Sequence, residues 1–172
     1  MLPSPTRESS TDFDDLFRQH YDLVYRTAYG ITGSSEDAED VLQTIFLRLL
    51  GREDSPGLKK NPRAYLCRAA VNVSLNTLRS KRRQVQIADV NALRDTAPTK
   101  DAGDADLRHR LLDAISQLNT GAVEILMLRY VHNYSDAEIA RMLCTTRGTI
   151  AVSLYRSRAR IKKLMRASGE KP

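Results

Sequence analysis

The segment over residues 135–165 constrains the fold of this chain most strongly, because it encodes two helices separated by only a three-residue turn, CTT. Ser135 and Glu138 form a capping-box signature, in which each side chain bonds the backbone N–H of the other residue. Cys144 begins the turn, and Thr146 can cap the second helix. Two helices joined in this way are typical of the helix-turn-helix, whose second helix lies in the DNA major groove.

The second of these helices is rich in basic residues. Its cations, with no acid among them, are Arg147, Arg156, Arg158, Arg160, Lys162, Lys163 and Arg166. Its predicted core face consists of Ile150, Leu154, Ile161 and Leu164. Two amphipathic helices can also form a hairpin inside an all-α core, but this density of cations favours DNA. A net charge of +6 over 172 residues likewise suits a polyanionic partner.

Apolar periodicity predicts two helices that follow a loose tail over residues 1–10. The first helix begins at Thr11 or Asp12 and ends at Gly33. The second is capped by one of the two serines after Gly33, and acids in its first turn suit the helix dipole. The face of the second helix that we predict to be buried consists of Ala38, Val41, Leu42, Ile45, Phe46 and Leu49.

The outer face of the second helix is polar and acidic but includes one apolar side chain, Leu47. Asp40 and Gln43 precede it on that face. An exposed leucine is usually incidental, because folded proteins expose many apolar side chains. A leucine flanked by polar groups can also be the centre of a protein contact. The residues alone leave both interpretations open.

A loop over residues 51–60 precedes a third helix, which begins at Asn61-Pro62 and runs to about Arg83. Between its two apolar faces lies a strip without any acid, made of Tyr65, Arg68, Asn72, Asn76, Arg79 and Arg83. Arginine suits phosphates, asparagine suits base edges and tyrosine suits base stacking. The strip therefore favours single-stranded nucleic acid. The alternative is a buried polar seam in which Asn72 and Asn76 are bonded internally.

Residues 84–106 lose the apolar pattern and are predicted to form a flexible linker between domains. Beyond it, Leu107, Leu111, Ile115 and Leu118 mark a further helix, and residues 120–131 mark another. The sequence therefore predicts an all-α fold: two small helical domains joined by a flexible linker, the second ending in the helix-turn-helix.

The chain lacks the motifs of an enzyme or a metalloprotein. His20, His109 and His132 are not at metal-ligand spacing, and there is no glycine-rich phosphate loop or nucleophile motif. We therefore predict no catalytic residues, no metal and no other cofactor. Cys67 and Cys144 are far apart and match no CxxC pattern, which favours a reduced, cytoplasmic protein. No apolar run predicts insertion into a membrane.

These segments resemble, in order, the two conserved regions of an extracytoplasmic-function (ECF, group IV) sigma factor of the sigma-70 family. DAEDVLQTIFLRLL over residues 37–50 resembles the part of sigma region 2 that binds the clamp of RNA polymerase. NPRAYLCRAAVNVSLNTLRSKRR over residues 61–83 resembles the part that melts and reads the −10 element. ISQLNTGAVEILMLRYVHNYSDAEIARML and TRGTIAVSLYRSRARIKKL resemble region 4, which binds the −35 element.

The resemblance implies a domain plan and a function. The plan is a tail over residues 1–10, region 2 over 11–83, a linker over 84–106, region 4 over 107–168 and a tail over 169–172. The implied function is transcription initiation, with core RNA polymerase, promoter DNA and an anti-sigma factor as partners. The alternatives are an ordinary helix-turn-helix regulator and a sigma-like interaction protein that barely reads DNA.

The resemblance also implies three sets of site residues. Those for RNA polymerase are Asp40, Gln43, Thr44 and Leu47. Those for the −10 element are Tyr65, Arg68, Asn72, Asn76, Arg79, Arg82 and Arg83. Those for the −35 element are Thr146, Arg147, Thr149, Val152, Ser153, Arg156 and Arg160.

The chain departs from the family pattern in the helix-turn-helix. The family usually has glycine where this chain has Cys144, and a non-glycine residue in a left-handed turn costs roughly 1–2 kcal/mol. Ala151 and Ser153 stand where the family commonly has lysine and arginine. Val152 points away from the predicted core and can touch a thymine methyl. These changes bear on the −35 sequence that is read and on its affinity.

Overall fold

The computed structural model describes residues 7–50, 56–89 and 102–169, and the regular structure in these ranges is entirely helical. The helices are α1 (Arg7–Thr32), α2 (Ser35–Leu50), α3 (Pro56–Lys60), α4 (Pro62–Asp89), α5 (Ala102–Ser116), α6 (Thr120–Leu126), α7 (Asp136–Met142) and α8 (Arg147–Gly169). A π-helical turn, Met127–Val131, continues α6. Across these described ranges, no helix combines the length and the apolar character that a membrane crossing requires.

The first domain packs α1, α2 and α4 around a common apolar core. The predicted apolar face of α2 is confirmed, because all six of its residues are buried. Gly33 ends α1 with a φ of 71°, the left-handed conformation that glycine adopts without strain. Asp37 is also buried, and Lys81 of α4 donates to both of its carboxylate oxygens at 2.6 and 2.7 Å. This ion pair, which the sequence did not predict, joins α2 to α4.

The second domain contains the predicted helix-turn-helix, formed by α7 and α8. The capping box is confirmed: Ser135 Oγ accepts the Glu138 N–H at 3.3 Å, and Glu138 Oε2 accepts the Ser135 N–H at 2.8 Å. Thr146 caps α8 by accepting the Thr149 N–H at 3.1 Å. Ile150 and Leu154 fix α8 in the core as predicted, whereas Ile161 and Leu164 are only half-buried.

Several helix boundaries differ from those predicted. α1 begins at Arg7, inside the predicted tail, and α3 lies inside the predicted loop. α4 continues to Asp89 and α5 begins at Ala102, so both ends of the predicted linker are helical. Residues 84–89 lack an apolar stripe but contain no glycine or proline, and nothing in them stops a helix. Residues 1–6, 51–55, 90–101 and 170–172 lie outside the described ranges.

The two domains pack against each other, which the sequence did not predict. α1 and α4 of the first domain contact α5, α6 and the π-helical turn of the second. Buried residues of both domains belong to a single apolar cluster. Gly30 lies close to the second domain, because a β-carbon there would be 3.1 Å from Val131 Cγ2. The absence of a side chain at Gly30 therefore lets α1 meet the second domain.

Cys144 adopts the left-handed conformation that the sequence comparison with the family suggested, with a φ of 53°. The Cys144 side chain is exposed, so replacing it with a smaller one removes few packing contacts. We predict that Cys144→Gly raises the free energy of unfolding by about 0.5–1 kcal/mol, since the relieved strain exceeds the added entropy of the unfolded chain. Cys144→Ala retains the β-carbon and is the matched control. Chemical denaturation that shows equal stability for the two variants would contradict this explanation.

Candidate polymerase and promoter DNA interfaces

The outer face of α2 is accessible, and Leu47 is its most prominent apolar group. Leu47 is 66% exposed although it lies on a helix whose opposite face is fully packed. Asp40 and Gln43 are exposed beside it, and Thr44 is half-buried. The four residues predicted to contact polymerase therefore form one surface, with an apolar centre and a polar, acidic border.

Thr146 and the turns of α8 that follow it carry the predicted −35 residues, and these residues face solvent or are half-buried. Thr146, Arg147, Thr149, Val152, Arg156 and Arg160 are exposed, and Ser153 is half-buried. Val152 is 47% exposed, as expected for a side chain that points away from the core. The structure adds Tyr155, which is 70% exposed on the same helix. The sequence indicates this exposure of Tyr155, because the residue is an aromatic next to Arg156 that lies outside the predicted core face.

The predicted −10 residues lie along one side of α4 but differ in accessibility. Asn72, Asn76 and Arg83 are exposed, so the asparagines are not part of a buried polar seam. Tyr65 is half-buried, and its ring lies against α3, where a β-carbon at Gly57 would be 3.1 Å away. Arg68 is exposed as well, so the open part of the strip consists of the two asparagines, Arg68 and Arg83.

Three arginines of the predicted −10 set, Arg68, Arg79 and Arg82, contact the second domain. Arg68 donates to Glu124 Oε2 from Nε at 3.2 Å and pairs with it from Nη2 at 3.1 Å. Arg79 donates to the carbonyl oxygens of Ser116 and Leu118, each at 2.9 Å. Arg82 donates to Ser116 Oγ at 3.0 Å. Three of the seven predicted −10 residues thus form interdomain hydrogen bonds.

Glu124 is an acceptor that the sequence analysis missed. The residue is only 1% exposed, and burial raises the pKa of its carboxyl while Arg68 partly opposes that rise. Its Oε1 atom has no hydrogen-bond partner among the described residues. The sequence does carry an indication of this role, since Glu124 is the single acid within the apolar run AVEILMLRYV. Loss of Arg68 would leave this buried carboxylate without a compensating charge, which is strongly destabilising.

A second group of interdomain contacts lies along α1. Arg108 of α5 donates to the Gly33 carbonyl at 2.7 Å and lies over the Tyr29 ring, 5.6 Å from its centroid. Thr27 Oγ1 and His132 Nε2 are 2.8 Å apart. Burial, with a smaller effect from Arg26, lowers the pKa of His132 to about 4. The imidazole is therefore neutral at pH 7 and suited to this contact.

Two family models match this chain. The family model for sigma-70 region 2 matches residues 16–84, and that for sigma-70 region 4 matches residues 108–161. The chain belongs to the extracytoplasmic-function sigma factors of the sigma-70 family. Sigma factors are transcription initiation factors and not enzymes. No group of three potential metal ligands occurs in the part of the chain that the structure describes.

Relatives of this sigma factor are similar over most of their length. The chain is 28% identical to the RNA polymerase sigma-E factor of Streptomyces antibioticus over 153 residues, covering 88% of this chain and 83% of that protein. It is 29% identical to the RNA polymerase sigma factor CarQ of Myxococcus xanthus over 168 residues, covering 92% of each.

A solved structure has a similar fold. The sigma factor RpoE, in complex with the anti-sigma factor NepR from Bartonella quintana, aligns with a TM-score of 0.54 and 21% identity. The alignment covers 90% of this chain and 97% of that chain. The predicted all-α fold with two sigma domains is confirmed.

Proposed function

We propose that this sigma factor acts in the cytoplasm and uses three separate surfaces during initiation. The outer face of α2 contacts the clamp of core RNA polymerase. The strip on α4 captures the melted −10 strand, and α8 binds the −35 duplex. The observation that carries this proposal is that regions 2 and 4 occur in order, each with exposed side chains of matching chemistry on the corresponding helix.

The α2 surface is suited to a protein partner. Burying Leu47 at an interface contributes roughly 1.5–3 kcal/mol, and the surrounding polar groups can bond the rim of the partner surface. Asp40 gives the face a negative border, which favours a basic partner surface and disfavours DNA. Polymerase is therefore a better occupant of this face than promoter DNA.

The α4 strip supplies the groups that a melted strand requires. The amides of Asn72 and Asn76 can bond base edges, and the strip arginines can bond phosphates. Unpairing a base costs a few kcal/mol, and capture of the extruded base offsets that cost. Because the cost depends on the sequence being melted, capture contributes to selection of the −10 element as well as to melting.

The α8 surface combines charge with short side chains near the helix start. Arg147, Arg156 and Arg160 are placed to bond phosphates, which gives salt-dependent affinity. Thr149, Val152 and Ser153 are the candidates for base contacts, with Val152 suited to a thymine methyl. With Ala151 and Ser153 in place of long cations, a larger share of −35 binding comes from the phosphate contacts.

An anti-sigma factor is a further proposed partner. The Bartonella quintana sigma factor of similar fold was solved with such a protein bound. Co-purification of this chain from its own cells, followed by identification of a protein that blocks polymerase binding, tests the assignment. A normal holoenzyme yield in the presence of every co-purified protein would contradict it.

Recruitment by the chain is tested by mixing purified protein with core RNA polymerase and a pool of genomic promoters. Co-elution with polymerase, followed by initiation at a subset of promoters, is the expected result. Co-elution without initiation would instead favour the interaction-protein hypothesis. DNA binding without co-elution would favour an ordinary helix-turn-helix regulator.

We predict that Leu47→Asp weakens polymerase binding by roughly 100-fold, because the leucine contact is lost and a carboxylate must be desolvated. Leu47 is exposed, so the melting temperature should not change. Leu107→Asp is the matched control, since Leu107 is also an exposed leucine but lies on α5. Fluorescence anisotropy with labelled sigma factor measures both. Wild-type affinity in Leu47→Asp would refute the clamp assignment.

We predict that Asn72→Ala reduces promoter melting by about tenfold, since an amide contact to an unpaired base is lost. Permanganate reactivity of thymines in the −10 element measures melting, and co-elution checks that polymerase binding is retained. Gln19→Ala removes an exposed amide from α1 and is the control. Arg79 is less suitable for this test because it also bonds the second domain. Unchanged permanganate reactivity would exclude Asn72 from the −10 site.

A further inference from the structure

The solvent side of α8 is apolar near the start of the helix, although the helix is rich in basic residues and contains no acid. Val152 and Tyr155 are 47% and 70% exposed there, and Ala151 and Gly148 are exposed beside them. Residues three and four positions apart are neighbours on a helix surface. These four residues therefore form one continuous band, the apolar stripe.

The apolar stripe makes no contribution to the core of the protein. Ile150 and Leu154, which fix α8 in the core, lie on the opposite side of a helix with about 3.6 residues per turn. Neither Val152 nor Tyr155 belongs to the apolar core that the described residues form. Contiguous exposed apolar groups of this kind mark a binding surface.

Arginines border the apolar stripe on both sides. At about 3.6 residues per turn, Arg147 and Arg158 fall on one side of the stripe, and Arg156 and Arg160 fall on the other. All four side chains are exposed. The major groove of DNA has the complementary cross-section, since two phosphate backbones border a floor of base edges about 12 Å wide. The charges therefore favour DNA over an apolar protein surface as the occupant of the stripe.

The floor of the major groove offers one apolar group, the C5 methyl of thymine. The other groups on the base edges are hydrogen-bond donors and acceptors, and an apolar contact would leave them unpaired. Val152 and Tyr155 are separated by about 4.5 Å along the helix axis. Stacked bases are about 3.4 Å apart, so the two side chains can meet methyl groups on neighbouring base pairs.

We propose that the apolar stripe selects the −35 element through methyl groups, and that Tyr155 is a specificity-determining residue together with Val152. The inference rests on the proposed assignment of α8 to the −35 duplex. The selected group is the methyl and not the hydrogen-bonding edge of the base. A 5-methylcytosine carries the same methyl at the same ring position, so the stripe accepts it in place of thymine. Methylation of a cytosine under the stripe then strengthens binding.

Changes to single groups of the DNA test this selection without altering the protein. The probe is a duplex that contains the −35 element of a promoter recovered in the initiation experiment and ends before the −10 element. The protein is the complex with core RNA polymerase, and competition anisotropy measures binding. Replacing one thymine by deoxyuridine removes only the methyl group. We expect roughly fourfold weaker binding at each thymine under the stripe, the effect of one buried methyl, and no change at other thymines.

The sensitive base pairs are then used to separate the methyl from the hydrogen-bonding edge. Replacing T·A by C·G changes the edge and removes the methyl, whereas 5-methylcytosine·G changes the edge and keeps the methyl. We expect the 5-methylcytosine duplex to bind as tightly as the thymine duplex, and the cytosine duplex to bind as weakly as the deoxyuridine duplex. Equally weak binding of the cytosine and 5-methylcytosine duplexes would overturn the proposal.

Val152→Ala and Tyr155→Ala assign the methyl groups to side chains, and both residues are exposed, so the fold should survive. Each variant should lower the affinity ratio of thymine to deoxyuridine from about four toward one at one base pair. Tyr155→Phe keeps the ring and should keep the ratio. Arg160→Ala is the matched control, since loss of a phosphate contact weakens binding to every duplex and leaves the ratio unchanged. A ratio that survives in both alanine variants would overturn the assignment to the stripe.

The outcomes separate this inference from the function on which it rests. Weaker binding of deoxyuridine duplexes, with tight binding restored by 5-methylcytosine, supports selection through methyl groups. Equal binding of thymine and deoxyuridine duplexes at every position, with weaker binding by Arg160→Ala, overturns the methyl selection and leaves α8 as the −35 helix. No binding to any −35 duplex by an intact polymerase complex overturns the α8 assignment and the methyl selection together.

Discussion

The arginines of α4 depend on acceptors from elsewhere, and two sets of acceptors can satisfy them. In this structure, Glu124 binds Arg68, while the carbonyls of Ser116 and Leu118 bind Arg79. In the proposed promoter complex, phosphates and bases take over these donors. Glu124 also depends on the pairing, since a buried carboxylate that loses its partner must be hydrated or protonated. Residues that join the two domains are thus also candidates for contact with DNA.

The packing of the domains follows from their size. Each helical domain is small, and small domains bury a limited share of their surface. Contact between α1, α4 and the second domain enlarges the shared core. Much of the contact is polar, however, with charged side chains, carbonyls and a neutral His132 at the border. A polar border has good alternative partners in water and DNA, so such an interface can reopen more readily than an apolar core.

Local features were predictable from the sequence because local chemistry determines them. The buried face of α2, the capping box at Ser135 and the left-handed Cys144 depend on residues within a few positions of each other. The contact of Arg68 with Glu124 joins residues 56 positions apart, and periodicity carries no information on such pairing. The strip on α4 was recognisable from its residue types. Which groups its arginines bond could not be predicted, because that depends on how the two domains pack. The continuation of α4 to Asp89 was not predicted, because an apolar stripe indicates which part of a helix is packed and not where the helix ends.

The distance between the two domains of the free chain is the most direct test of their packing. Spin labels at Cys144 and at Asp15→Cys report on region 4 and region 2, and both positions are exposed outside the proposed binding surfaces. We expect one narrow, short distance distribution, because α1 and α4 contact α5, α6 and the π-helical turn. A broad distribution that extends to long distances would contradict the interdomain contact.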